Sequence, residues 1–371
     1  MAFRLAAGLF AVMSGVAANA QNAPANSDPT KEMQHVDLLA FNRAAVVKSL
    51  PLLQKAGTAF NAQIDGKCYS CHHQSLPSAA FAFARDHGFQ VDAKQAAEQA
   101  KVVQTIFEQA RPLVEKSATN PAADKELDLI LVDPSISVGY ALFGLSAYGV
   151  KPDPATQAAA RYLMRKQTPE GYWPVWSARP PLEASEFTST ALAVRGMKAY
   201  AGPAVAADVA QRIKRARMWL QATRPKTNED RAFRLLGLRW SGAETGDIKA
   251  AAADLLAQQN DDGGWGQTRG AASDAYATGQ ALVALNQGAD VPVGHSAYRR
   301  GTFFLAVTQQ KDGSWFVAKR ATPVQPFFDA GFPHDQSQFI SCAGSAWAVM
   351  ALSLTQPTGG LEPVRTAAAA R

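Results

Sequence analysis

The chain has 371 residues, 47% of them hydrophobic and 18% charged, with 37 Lys and Arg against 31 Asp and Glu and a formal net charge of +6. That length suffices for a large apolar core, and three cysteines exclude a disulfide-rich scaffold. The basic excess is spread along the chain, with no dense Lys/Arg patch interleaved with aromatics, which excludes a nucleic-acid interface. The one cluster, Arg212, Lys214, Arg215 and Arg217, has the spacing of a solvated helix face.

Residues 1–20 read as a secretory signal peptide. Arg4 supplies the positive start, Leu5 to Val16 the apolar stretch, and Ala18-Asn19-Ala20 the small-residue cleavage site. The apolar run is too short and too interrupted to span a bilayer, and no later stretch has the length of a transmembrane helix, so no transmembrane anchor is expected. The expected home is a bacterial periplasm. From there, helical periodicity and capping signals mark about twelve segments. They begin near Asn42, Ser75, Asp92, Ser135, Pro154, Glu183, Ala204, Asn228, Gly246, Ser273, Val293 and Gln336. Ser75-Leu76-Pro77 reads as an N-cap followed by an early proline. Strands are nearly absent, and residues 361–371 read as a disordered tail. Twelve helices make six pairs.

Between the first two helices stands Cys68-Tyr69-Ser70-Cys71-His72, a C-x-x-C-H. This is the attachment signature of a c-type haem. Two thiols three positions apart reach the two vinyl groups of one porphyrin, and the histidine that follows becomes the proximal iron ligand. Two other readings use the same residues. A zinc ion takes Cys68, Cys71, His72 and His73, though four tetrahedral ligands so close in sequence are cramped; or Cys68 and Cys71 form a plain dithiol or disulfide. On the haem reading the other axial ligand is open, with His87 and His334 the first candidates and His295, Met164, Met197 and Met350 weaker ones. His73 is expected to meet solvent or a propionate.

The second half carries an internal repeat. Gln167-Gly171-Trp173, Gln259-Gly263-Trp265 and Gln309-Gly313-Trp315 share one spacing, and a degraded copy keeps Ala216, Trp219 and Leu220 before Arg224. The anchors at 167, 224, 259 and 309 are spaced like helix pairs with loops, the mark of a helical repeat. The pattern resembles the QW motif of squalene–hopene cyclases, oxidosqualene cyclases and related prenyltransferase-type toroids. Arg300, Gly301, Phe304, Leu305, Gln309, Gly313 and Trp315 fill every constrained position of that motif. The likeness covers about residues 151–354. It implies an all-α (α/α)6 toroid of alternating inner and outer helices, in which the Gln side chain caps a helix end and the Trp stacks on it.

Residues 21–360 are therefore expected to form one domain. Its haem-binding part is about 40–118, with Leu50 and Gln54 in a worn repeat helix and the C-x-x-C-H in the loop that follows. A compact haem subdomain over about 22–118 is the alternative. The Asp-x-Asp-Asp acid of the cyclases is missing. Asp261-Asp262 suits its turn, Glu126, Asp128 and Asp133 form another acid cluster, and Glu183 and Glu186 suit a helix start. Cys342, near His334 and Asp335, has only the composition of a prenyltransferase zinc site. Ser273, Asp274 and Tyr276 open an inner-helix candidate whose N-terminus would face the ring centre. Two functions follow as expectations. One is a monohaem c-type protein that exchanges electrons with a redox partner protein or performs haem redox chemistry. The other is an enzyme or binding protein holding a small hydrophobic isoprenoid ligand in the ring.

Overall fold

The computed structural model describes residues 37–65, 68–131, 133–322 and 327–358. The leader at 1–20 and the tail at 361–371 lie outside these residues. Thirteen α-helices follow in chain order: α1 (Leu38–Gln63), α2 (Leu76–Asp86), α3 (Ala93–Lys116), α4 (Pro121–Ile130), α5 (Pro134–Tyr148), α6 (Pro154–Lys166), α7 (Glu186–Tyr200), α8 (Ala206–Ala222), α9 (Asn228–Ser241), α10 (Thr245–Leu256), α11 (Ala275–Ala289), α12 (Ser296–Thr308) and α13 (Gln338–Ser353). Among the described residues there is no strand, only isolated bridges at Arg179–Glu183 and Gly266–Ser273. Twelve of the helices begin within four residues of their expected starts. The thirteenth, α4, was missed. Its start signals are present, an Asn120 cap whose side chain accepts from Ala122 N and Pro121 in the first turn.

Six helices close an inner ring. Helix α2 packs on α5, α5 on α7, α7 on α9, α9 on α11, α11 on α13, and α13 back on α2. Helices α1, α3, α6, α8, α10 and α12 form the outer layer, so the fold is an all-α (α/α)6 toroid with α4 added. Close contacts step in the same direction along neighbouring inner helices. A Cβ on Gly139 or a Leu142 side chain meets Leu192 or Gly196, and Gly279 meets Trp347 as Gly344 meets Tyr276. The inner helices thus run parallel and bring their N-termini to one end of the ring.

Sequence composition explains which helices lie inside. Helix α13 is apolar and small-residue-rich all round, and every residue but Phe339 is buried. A helix without a polar face must be covered on all sides. The axis itself is filled. Tyr140 packs edge-on to Phe233, while Phe143 and Phe233 both meet Trp347, with ring centroids 6.1–6.5 Å apart.

The three complete repeats make one recurring joint. Trp173, Trp265 and Trp315 donate from Nε1 to the carbonyls of Leu163, Leu255 and Leu305 at 2.6, 2.9 and 2.7 Å. Each acceptor lies in the last turn of an outer helix, where carbonyls lack intrahelical partners. Gln167, Gln259 and Gln309 donate from Nε2 to their own turn glycine, and also to Arg212, Ala297 and Ala45 on the next outer helix. The expected roles are thus exchanged. The indole caps the helix end, and the Gln amide ties the turn to the neighbouring repeat. The Gln309 bond to α1 joins the last repeat to the first. Gly171, Gly263 and Gly313 have φ of +106°, +86° and +94°, and a Cβ on any of them would fall within 2.8 Å of a carbonyl oxygen on that neighbour. Gln54 does part of this job, donating to Asp92 O just before α3 at 3.0 Å. It sits in the interior of α1, however, because that helix continues to Gln63.

Candidate functional site

The C-x-x-C-H lies at the N-terminal end of the inner ring. It is only partly in a loop. Cys71–Ser75 form a single π-helical turn that runs into α2. The capping is reciprocal: Ser70 Oγ accepts from His73 N at 3.0 Å, and Ser70 N donates to Gln74 Oε1 at 2.7 Å. Pro77, in the first turn of α2, has no N–H to give the preceding turn, which suits a wider turn at this point.

The two thiols differ in environment. Cys68 is exposed and Cys71 is buried. Cys71 faces the Glu183 carboxylate, and burial followed by that negative charge pushes its thiol well up. Glu183 is itself 7% exposed. Burial raises its carboxyl, opposed by the ion pair with Arg179. Arg179 and Glu183 are held by a two-way backbone bridge of 2.8 and 2.9 Å, and Ser177 Oγ donates to Glu183 O. The backbone of Trp176 and Ser177 is fixed in turn by two 2.8 Å bonds to Asp133 Oδ2. A short rigid loop therefore presents one cation and one carboxylate to the motif.

His72 is half-buried and engaged through Nδ1, which lies 2.8 Å from Ser70 Oγ and 2.6 Å from His73 Nδ1. Its ring packs 4.9 Å from Phe339 of α13 and 5.9 Å from Phe60 of α1. Burial, then the nearby Arg179 charge, lowers its pKa and keeps the imidazole neutral. His73 corrects its expectation. It is fully buried against Phe60, Phe332 and Phe339, and its Nε2 has no hydrogen-bond partner.

The other candidates fall in different places. His87 ends α2 and binds Gln356 O through Nδ1 at 2.7 Å. Fifteen residues of nearly continuous helix separate it from His72, roughly 20 Å of rise, so the two do not come together. His334 lies at the same end of the ring as His72, with Phe332 between it and His73. Its Nε2 meets Ser314 Oγ at 2.7 Å. Met164, Met197, Met350 and Cys342 are core residues, while His295 caps the outer helix α12. Asp262 serves its turn, accepting from Gly264 N and Ser273 Oγ. Asp274 caps α11, and Tyr276 in its first turn is buried.

A second polar cluster was missed from sequence. Glu229 is 4% exposed at the start of α9. It accepts from Thr188 Oγ1 of α7 and Gln280 Nε2 of α11, both at 2.7 Å. Burial pushes its carboxyl up to about 8, against those bonds and one from Tyr276. Gln280 Nε2 also lies 3.5 Å from the Tyr276 hydroxyl, and the Tyr140 hydroxyl of α5 is buried without a hydrogen-bond partner. The detectable signal was an acid in the first turn of the helix expected to begin near Asn228.

No family model matches the chain, and no curated protein matches it. Among solved structures, a crystal structure of a protein from Actinoplanes is similar in fold. It has a TM-score of 0.50 and 15% identity, and the match covers 85% of this chain and 100% of that one. Among the described residues no helix is long and apolar enough to cross a membrane.

Proposed function

We propose that this chain is a periplasmic monohaem c-type protein built on a squalene-cyclase-like toroid, serving electron transfer or haem-dependent redox chemistry. The observation that carries the reading is the state of His72. Its Nδ1 is already engaged by Ser70 and His73, which leaves Nε2 as the ring nitrogen available to a metal, and metal-ligating histidines commonly have their second ring nitrogen engaged in this way. The rest of the set fits the group. Cys68 and Cys71 stand on either side of the turn start, and Phe60, Phe328 and Phe339 give the motif an apolar aromatic wall. Bound there, the haem supplies a one-electron iron couple.

Zinc fits less well. Among the described residues no three His, Cys, Asp or Glu side chains gather closely enough to hold a free metal ion. The isoprenoid reading is also less favoured, because Tyr140, Phe233 and Trp347 occupy the ring axis where such a ligand would lie.

The test is expression in a host that matures c-type cytochromes, followed by acid-acetone extraction and the reduced pyridine haemochrome spectrum. Haem should stay with the protein, and Cys68→Ala with Cys71→Ala should release it. A colourless protein that binds zinc stoichiometrically would refute the proposal.

A further inference from the structure

His73 follows the attachment motif directly, and its two ring nitrogens have opposite surroundings. Nδ1 lies 2.6 Å from Nδ1 of His72. Nε2 is buried without a hydrogen-bond partner. The ring is boxed by Phe60, Phe339 and Phe332, with centroids 5.4, 5.6 and 6.3 Å away. Its backbone is fixed as well, because His73 N donates to Ser70 Oγ at 3.0 Å. An orphaned nitrogen in so apolar a place calls for an explanation.

Two ring nitrogens this close share a proton, since two lone pairs at hydrogen-bond distance repel. Burial keeps both imidazoles neutral, so each carries one ring proton. Two arrangements remain. If His73 supplies the shared proton, the proton of His72 sits on Nε2 and no lone pair is left there for a metal. If His72 supplies it, His72 Nε2 is bare, and the proton of His73 sits on its own Nε2 among the phenyl rings. Aromatic faces attract an N–H weakly and repel a lone pair. The second arrangement therefore accounts for the orphaned nitrogen and leaves His72 able to bind a metal.

We propose that His73 is a positioning residue of the haem site: its Nδ1 accepts the N–H of His72 Nδ1, which holds that ring in the tautomer with Nε2 bare and strengthens its donation to the iron. The inference rests on the haem reading above. A metal-bound histidine gains basicity from such an acceptor, and losing the acceptor typically costs roughly 10–100-fold. The phenyl box keeps water away from His73, and in so apolar a setting the bond between the two rings is strengthened. A more basic proximal histidine favours the ferric iron and so lowers the midpoint potential.

The experiment compares the unsubstituted holoprotein with His73→Leu and His73→Asn at neutral pH. Nitrogen NMR of the unsubstituted protein, reduced and under carbon monoxide, should find the proton of His73 on Nε2 and its Nδ1 bare. The opposite tautomer overturns the inference, and this arm needs no variant to fold. Spectroelectrochemistry should find the His73→Leu midpoint raised by the equivalent of a tenfold change in ferric preference, about 59 mV for one electron. An Asn carbonyl oxygen stands one bond beyond Cγ, as Nδ1 does, so His73→Asn restores the acceptor and should return the midpoint most of the way. Loosened packing alone would move both variants alike. That result, or no shift in either, overturns the inference and leaves the haem reading standing. An unsubstituted protein that carries no haem overturns both.

Discussion

Replacing Gly263 with Ala probes the repeat joint most directly, and Gly270→Ala is its control. Both glycines have positive φ, +86° and +76°. An L-residue in that region costs about 1–2 kcal/mol. The two sites differ in what a new methyl group meets. At Gly270 nothing lies within 4 Å. At Gly263 the Cβ would sit 2.8 Å from Arg300 O and 2.9 Å from Arg300 Cβ, on the first turns of the next outer helix. Neither neighbour is the free end of a side chain, so the turn must move away from α12. It would then strain the Gln259 bond to Ala297 O at 2.8 Å. Overpacking of this kind adds about 1–3 kcal/mol. Gly270→Ala should therefore cost about 1–2 kcal/mol, and Gly263→Ala about 2–5 kcal/mol. Urea unfolding followed by circular dichroism would measure both, with the m-value confirming a common transition. Equal costs would refute the claim that the Gln-Gly-Trp turn is pressed against its neighbour, since only that contact distinguishes the pair.

The axis acid also has a stability signature. A carboxyl whose folded pKa is raised stabilises the fold fully below its unfolded pKa, about 4.3, and that contribution is lost as pH rises to the folded value of about 8. The unsubstituted protein should lose stability relative to Glu229→Gln by about 1.4 kcal/mol per pH unit across this window, roughly 5 kcal/mol in all. Unfolding free energies of the two proteins from pH 5 to 9 would show it, and a pH-independent difference would count against a protonated Glu229. Cys342 is fully buried with its thiol pushed well up, so in protein made without haem iodoacetamide should label the exposed Cys68 before Cys342, and Cys342 only as the protein unfolds. Mass mapping that found Cys342 labelled rapidly in native buffer would place it outside the core.

The repeat, the other twelve helices and the C-x-x-C-H were legible because each is written in local spacing. Helical periodicity, a glycine at positive φ and two thiols three residues apart constrain neighbours along the chain. Helix α4 escaped because its short run follows directly on α3. The roles within the repeat joint were not legible either. Whether Gln or Trp caps the helix end depends on where the next outer helix passes, and that contact joins residues about forty apart. The same holds for the site. His72 could be named from five residues, but not that Ser70 and His73 hold its Nδ1, or that Arg179 and Glu183 arrive from a loop more than a hundred residues away. Glu229, Tyr276 and Tyr140 lie on three different inner helices, and no sequence spacing relates them. Closure of the ring alone brings them together on the axis, and burial there gives an ordinary first-turn glutamate an elevated pKa.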